Sequence, residues 1–247
     1  MTATTYRQAG RVARNLGSGV IPIFTLFIAI ILVVFMTIST STVLIGTPAG
    51  SAWDSVWENS AYATRYFPLA MGVLLVPAYL PVAVASGVTR RSFGLGSAAV
   101  IGGIAVTMAV LEAAGYLLEH VVYRAADGRQ VFTTPHLFSA GTEVIVVIAE
   151  VTIVVAAHVA TGWLIGAAYY RWGWQWPTLA LPLLIAPALL VEALMSVGWA
   201  GALMIDTWGI DRGPLPLIVP AALLVIVVTW LSGQLIIRAI PIRTQRA

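Results

Sequence analysis

The stretch Gly87-Val88-Thr89-Arg90-Arg91-Ser92-Phe93-Gly94-Leu95-Gly96 decides how the chain is read. It is a short turn with two adjacent arginines and an aromatic, fenced by glycines, and long apolar runs flank it on both sides. A helix needs about 20 mostly apolar residues to cross a hydrocarbon core about 30 Å thick. The turn therefore reads as a loop between two membrane spans. It is too short to be a domain, but it can be a handle for a partner in the water.

Composition extends that reading to the whole chain. Of 247 residues, 60% are hydrophobic and 9% charged, with a mean hydropathy of +0.93. This is the composition of a polytopic membrane protein, with no length left for a separate soluble domain. Cysteine is absent, which excludes disulfides, a thiol nucleophile and cysteine metal sites. Lysine is absent too: all 13 basic residues are arginines. A phosphate-binding loop needs a lysine, so the chain is not itself a P-loop ATPase. The formal charge of +3 is read by position and is no sign of a nucleic-acid partner.

The expected fold is all-α, a single domain over 1–247 with six transmembrane helices and an interfacial helix at the N-terminus. The spans are expected at about 20–39, 66–86, 97–118, 144–169, 178–204 and 214–237. The apolar run 20–38 is longer than a signal-peptide core and is expected to be retained as the first span. Before it, Arg7, Arg11 and Arg14 recur at i, i+4 and i+7 on one helical face. With Tyr6, Val12 and Leu16 turned to lipid, residues 1–19 predict an amphipathic helix on the inner membrane surface; the alternative is a basic tail that only sets topology. Pro68, Pro77 and Pro81 predict a kinked second span, and Pro182 and Pro187 a broken fifth. Ala98, Ala99, Gly102 and Gly103 predict close helix packing on the third.

Arginines set the orientation. With both termini inside, the inner side holds Arg7, Arg11, Arg14, Arg90, Arg91, Arg171, Arg238, Arg243 and Arg246, against Arg65, Arg124, Arg129 and Arg212 outside. That asymmetry fits the positive-inside rule, and the tryptophans cluster at the two expected interfaces.

A six-span chain with a basic amphipathic N-terminus, Gly-Val-Thr-Arg-Arg-Ser-Phe-Gly after span two and Tyr-Tyr-Arg-Trp-Gly-Trp after span four resembles the permease subunit of a type-2 ABC exporter. The resemblance implies a coupling helix in the first cytoplasmic loop, at about 87–95. It implies two permease copies, identical or sister, working with two separate ATPase subunits that carry ATP and Mg. It also implies export; the few polar groups in the spans suggest a hydrophobic or amphipathic cargo (a drug, a peptide antibiotic or a lipid), with efflux and antibiotic resistance as the setting, and the arginine-only, Ala/Gly/Val-rich composition suggests a GC-rich bacterial genome and so a bacterial plasma membrane. In such a coupling element Thr89 would cap the helix, Arg90, Arg91 and Ser92 would offer polar contacts, and Phe93 an apolar knob. The alternative is that the arginines only hold topology and Phe93 sits among lipid headgroups. Arg171 among its tryptophans reads as an interfacial anchor.

Glu112, Glu150 and Glu192 fall inside expected spans at similar depth, in the outer half. A carboxylate in the bilayer core costs on the order of 3 kcal/mol, so each needs a partner or a wet cavity. Glu143, Glu150 and Thr161 lie within about 20° on the helical wheel, a polar stripe on span four. One reading is an outward-facing pocket for a cationic amphiphile or for protons, lined by Glu112, Glu150, Glu192 and Thr161. The other is that the glutamates are hydrogen-bonded within the bundle and hold helices together. His158 has no second intramembrane histidine for a haem, and His120 and His136 match no zinc spacing, so the histidines read as structural and no cofactor is expected. Two further functions stay open: a non-transporting membrane scaffold or sensor, and an intramembrane enzyme. No convergent catalytic groups support the enzyme.

Overall fold

Helix α1, Ala3–Leu44, is far longer than one span. At 1.5 Å per residue its 42 residues reach about 63 Å, roughly twice the hydrocarbon core. The computed structural model describes residues 3–45 and 52–239. Pro48 in the first long loop, and Arg243 and Arg246 of the inner arginine set, lie outside them.

The expected separate interfacial helix is corrected here. Residues 3–19 continue without a break into the first span. Arg7, Arg11 and Arg14 are exposed, but Val12 and Leu16 are buried inside the protein and do not face lipid. They pack with Phe93, Val100 and Leu80 in the main apolar core. Gly96 makes this possible: a Cβ there would lie 2.6 Å from a Val12 methyl.

The other elements are α2 (Ser60–Ala85), α3 (Arg90–Ala125), α4 (Val144–Trp172), the short α5 (Gln175–Leu179), α6 (Leu181–Met195), α7 (Gly198–Trp208) and α8 (Leu215–Arg238). Among the described residues, five helices are long and apolar enough to cross a membrane. The bent pair α6–α7 would make six if counted as one span. The chain is therefore an all-α polytopic membrane protein. Its only strands among the described residues, β1 (Ala52–Asp54) and β2 (Arg129–Val131), pair in parallel and join the connections after α1 and α3.

Three boundaries differ from expectation. α2 starts six residues earlier and stays one helix through Pro68, Pro77 and Pro81. α3 starts at Arg90, so most of the expected turn is the first two turns of a helix. The fifth span is interrupted at Ala180, just before Pro182 in the first turn of α6, but runs on through Pro187. It bends by 60° between α6 and α7, where Ser196 (φ 50°) and Gly198 (φ 63°) adopt left-handed conformations. Such a reversal ends a helix cheaply at glycine and stops the i→i−4 ladder.

α4 is the central post, packed on α2, α3, α6 and α8. Its crossing with α2 is made by glycines. A Cβ on Gly162 would meet the Leu69 carbonyl at 2.1 Å, and one on Gly166 the Val73 carbonyl at 2.2 Å. Four-residue spacing of small residues lets two backbones touch. Gly102 and Gly103, the expected contact on α3, have nothing within 4 Å of an added Cβ, so the close approach is on α4 instead.

The two glycines give opposite predictions. Gly162→Ala forces α2 and α4 apart and is expected to cost about 1–3 kcal/mol. Gly102→Ala meets open space and is expected to be neutral or to stabilise by up to about 1 kcal/mol. Thermal unfolding of the purified variants in detergent checks both; equal effects would contradict this helix crossing.

Candidate functional site

Two polar ends flank the apolar core, and the carboxylates gather at one of them. Glu119, six residues before the end of α3, is fully buried. It accepts hydrogen bonds from Ser39 Oγ (3.1 Å), Trp57 N (2.8 Å), Tyr123 Oη (3.3 Å) and Gln130 Nε2 (2.7 Å), and also from Ser55 Oγ. One side chain thus ties α1, the start of α2, α3 and β2 together. Trp57 lies flat over Gly115, where a Cβ would sit 1.8 Å from its ring.

Glu112, one helical face along, accepts from Ser60 Oγ (3.1 Å) and Thr64 Oγ1 (2.6 Å) of α2. Glu150 of α4 accepts from Leu137 N (2.6 Å) and pairs with His136 Nδ1 (2.8 Å). Glu58, just before α2, accepts from Thr133 N (2.8 Å) and both polar groups of Thr134, and lies 3.6 Å from His136 Nε2. His136 thus stands between two carboxylates. Burial works against its protonation, but hydrogen bonds and charge from Glu150 and Glu58 outweigh burial and raise its pKa above the ordinary 6.5.

Glu192 of α6 pairs with Arg65 of α2 at 3.4 Å and accepts from Ala200 N at 3.2 Å, where the first turn of α7 presents its free N–H groups. His158 Nε2 approaches the same carboxylate at 3.5 Å, while its Nδ1 lies 2.8 Å from the Val154 carbonyl. A cavity of ≈ 10 Å³ lies beside Arg65, lined among others by Thr64, Glu112, His136 and Glu150, and Glu192 is linked to it only through Arg65. The cavity has room for about one water.

Of the expected pathway residues, Glu112, Glu150 and Glu192 do come together around Arg65 and this cavity. Each is at most 1% exposed, so in this conformation they line no pocket that an amphiphile could enter. Thr161 is buried apart from them, its hydroxyl without a partner. The polar stripe on α4 also dissolves: Glu143 turns back to Ser139 and Ala140 instead of joining Glu150. Arg65, Glu58, Glu119 and His136 belong to the site although sequence reasoning assigned them to loops. The available signal was arithmetic: buried acids need a cation, and Arg65 is the arginine nearest them at a span border. No group of three or more His, Cys, Asp or Glu among the described residues could hold a metal ion.

The opposite end collects arginines. Thr89 caps α3, accepting from Ser92 N at 3.1 Å, as its position predicts. Arg90 donates to the Arg238 carbonyl (2.8 Å) and Gln234 Nε2 to the Arg90 carbonyl (3.1 Å), which ties the end of α8 to the start of α3. Arg171 also reaches the end of α8, at the Ile236 carbonyl, and packs over Trp172. Gln8 of α1 donates to the Gly87 carbonyl and accepts from Ser92 Oγ (3.0 Å). Three helix ends therefore meet at the turn. Phe93 is not the exposed knob the sequence suggested. It is fully buried, stacked at 5.7 Å on Trp163 of α4, and Ser92 is buried beside it. The exposed part of the expected docking set is Thr89 and Arg91, next to Gly87, with Arg90 half-buried.

No protein-family model, curated protein or solved structure matches this chain.

Removing one partner of a buried ion pair leaves an uncompensated charge and costs about 3–5 kcal/mol. Arg65→Ala is expected to destabilise the protein by that order, and adding Glu192→Gln to recover most of the loss. Thermal unfolding in detergent reads both. A stable Arg65→Ala protein, or no recovery in the double variant, would show that the pair does not hold α2 to α6.

Proposed function

We propose that the chain is the membrane-spanning subunit of an ATP-driven exporter of the type-2 ABC kind. It would sit in a bacterial plasma membrane with both termini in the cytoplasm. It would work as two copies, identical or sister, with two separate ATP-binding subunits that carry ATP and Mg. Its cargo would be a hydrophobic or amphipathic compound.

The observation that carries this reading is the construction of the turn 86–91. Its exposed groups, Gly87, Thr89 and Arg91, stand where α1, α2, α3 and α8 are bonded together. A push there is passed into four helices at once, which is what a handle must do. Thr89 and Arg91 offer hydrogen-bonding and charged contacts to an acidic partner surface. Phe93 serves the same handle from inside, anchoring it to Trp163 and so to the central helix.

A second reading keeps one observation on its side. The carboxylate cluster is closed and well hydrogen-bonded, which suits a non-transporting scaffold or sensor as well as a pump in its closed state. Dependence on a partner ATPase separates the two.

The test is mild purification of the tagged chain from its native membrane with mass spectrometry of what accompanies it. A stoichiometric P-loop protein is expected with the unaltered chain and with Arg7→Glu, and its loss, by about ten-fold or more, with Arg91→Glu. Arg91 is exposed, so this variant tests contact, whereas Phe93→Ala would test the core. No P-loop partner in several mild detergents would remove the energy source and favour the scaffold.

A further inference from the structure

His136 is the one side chain of the 126–143 connection that reaches carboxylates on two other elements. Its Nδ1 lies 2.8 Å from Glu150 on α4 and its Nε2 3.6 Å from Glu58 before α2. The same two carboxylates hold the connection by its backbone, Glu58 through Thr133 N and Thr134 N and Glu150 through Leu137 N. The ring stacks on Phe138 at 4.4 Å. Residues 133–138 are thereby fastened over the ≈ 10 Å³ cavity, of which His136 is one wall.

A neutral imidazole has one N–H donor and one lone pair; only the protonated ring donates from both nitrogens. Nδ1 faces Glu150, and Nε2 faces Glu58 at 3.6 Å and Thr134 Oγ1 at 3.3 Å, a hydroxyl that itself donates to Glu58, so the lone pair of a neutral ring meets no free donor there. We propose that Glu58, His136 and Glu150 form a proton-binding site that locks the 126–143 connection over the cavity, and that losing the proton opens the cavity to solvent. This stands apart from the transport reading and needs no cargo.

Other charged and titratable groups face the site from the neighbouring elements. Arg65 of α2 and Glu112 of α3 line the same cavity. Tyr116 of α3 faces the ring at 6.3 Å. From the α7–α8 connection, Arg212 donates to the His136 carbonyl at 3.0 Å and leaves the ring free. The sign follows from linkage. His136 is raised above its ordinary value by Glu150 and Glu58 against the opposing effect of burial. Its contribution to closure is therefore full below about 6.5 and is lost as pH rises through the raised pKa.

The chain has no cysteine, so single introduced thiols report accessibility without background. Val154→Cys and Ala61→Cys line the cavity. Thr142→Cys, on the exposed side of the same connection, corrects for thiol ionisation, and Leu75→Cys in the apolar core reports global unfolding. Each variant of the full chain in detergent is treated with a water-soluble thiosulfonate at pH 6 and pH 9. The expected result is a cavity-to-Thr142 labelling ratio that rises about ten-fold, the equivalent of one pKa unit, while Leu75→Cys stays unlabelled. Adding His136→Gln should make the ratio high and flat with pH. The proposal is overturned if both cavity thiols keep a constant ratio, if His136→Gln keeps the pH dependence, or if Leu75→Cys is labelled in step with them.

Discussion

The constraint on which the structure depends is that a carboxylate inside an apolar bundle must be given donors. Five glutamates, at positions 58, 112, 119, 150 and 192, are buried among the described residues. An unmet buried charge costs several kcal/mol, a large share of any fold's net stability. The chain answers by bringing donors from elsewhere: hydroxyls of Ser39, Ser60 and Thr64, backbone N–H groups of Trp57, Thr133, Leu137 and Ala200, and the Arg65 guanidinium. Apolar contacts give helices little preference for one neighbour over another when lipid is the alternative. These bonds are directional, and they specify which helix ends lie side by side.

The same constraint explains the irregular backbone at that end. Ala200 can donate to Glu192 only because α6 stops at Ser196 and a new helix starts at Gly198. Gly198 is required twice, for its positive φ and because a Cβ there would lie 2.2 Å from the Arg65 guanidinium. Backbone with free N–H groups is tolerated in a membrane protein where it is buried against groups that use them. The arginine end obeys the complementary rule: at the last turn of α8, Arg90 donates to the Arg238 carbonyl and Arg171 adds a second donor to that of Ile236.

How much of this was legible follows from what each signal measures. Hydropathy measures a segment's own cost in lipid, so the cores of the spans and the all-α class were readable, as was the Thr89 cap, a local bond. Helical spacing identified Val12 and Leu16 as one apolar face but is silent on whether lipid or protein covers it; that answer rests on Gly96, far away in the sequence. Phe93 failed for the same reason, since its burial depends on Trp163. Depth counting put Glu112, Glu150 and Glu192 at one level because rise per residue is fixed. It could not supply Arg65 or His136, whose roles come from contacts that span 127 and 14 residues of sequence.

The filled interior also bears on where a cargo could travel. The cavity among the carboxylates holds about one water, far short of the hundreds of Å³ that a drug-sized molecule needs. A larger hollow, of ≈ 350 Å³, lies between α1 and α3, lined by Gly17, Phe24, Ala99 and Gly103. α1 and α8 leave Ile21, Leu26, Val33, Leu217, Leu224 and Leu235 exposed along their lengths. On the proposed exporter reading, the path of an amphiphile lies outside the single bundle, along these exposed apolar faces. The carboxylates then act on such a path at a distance, by fixing the helix ends that frame it.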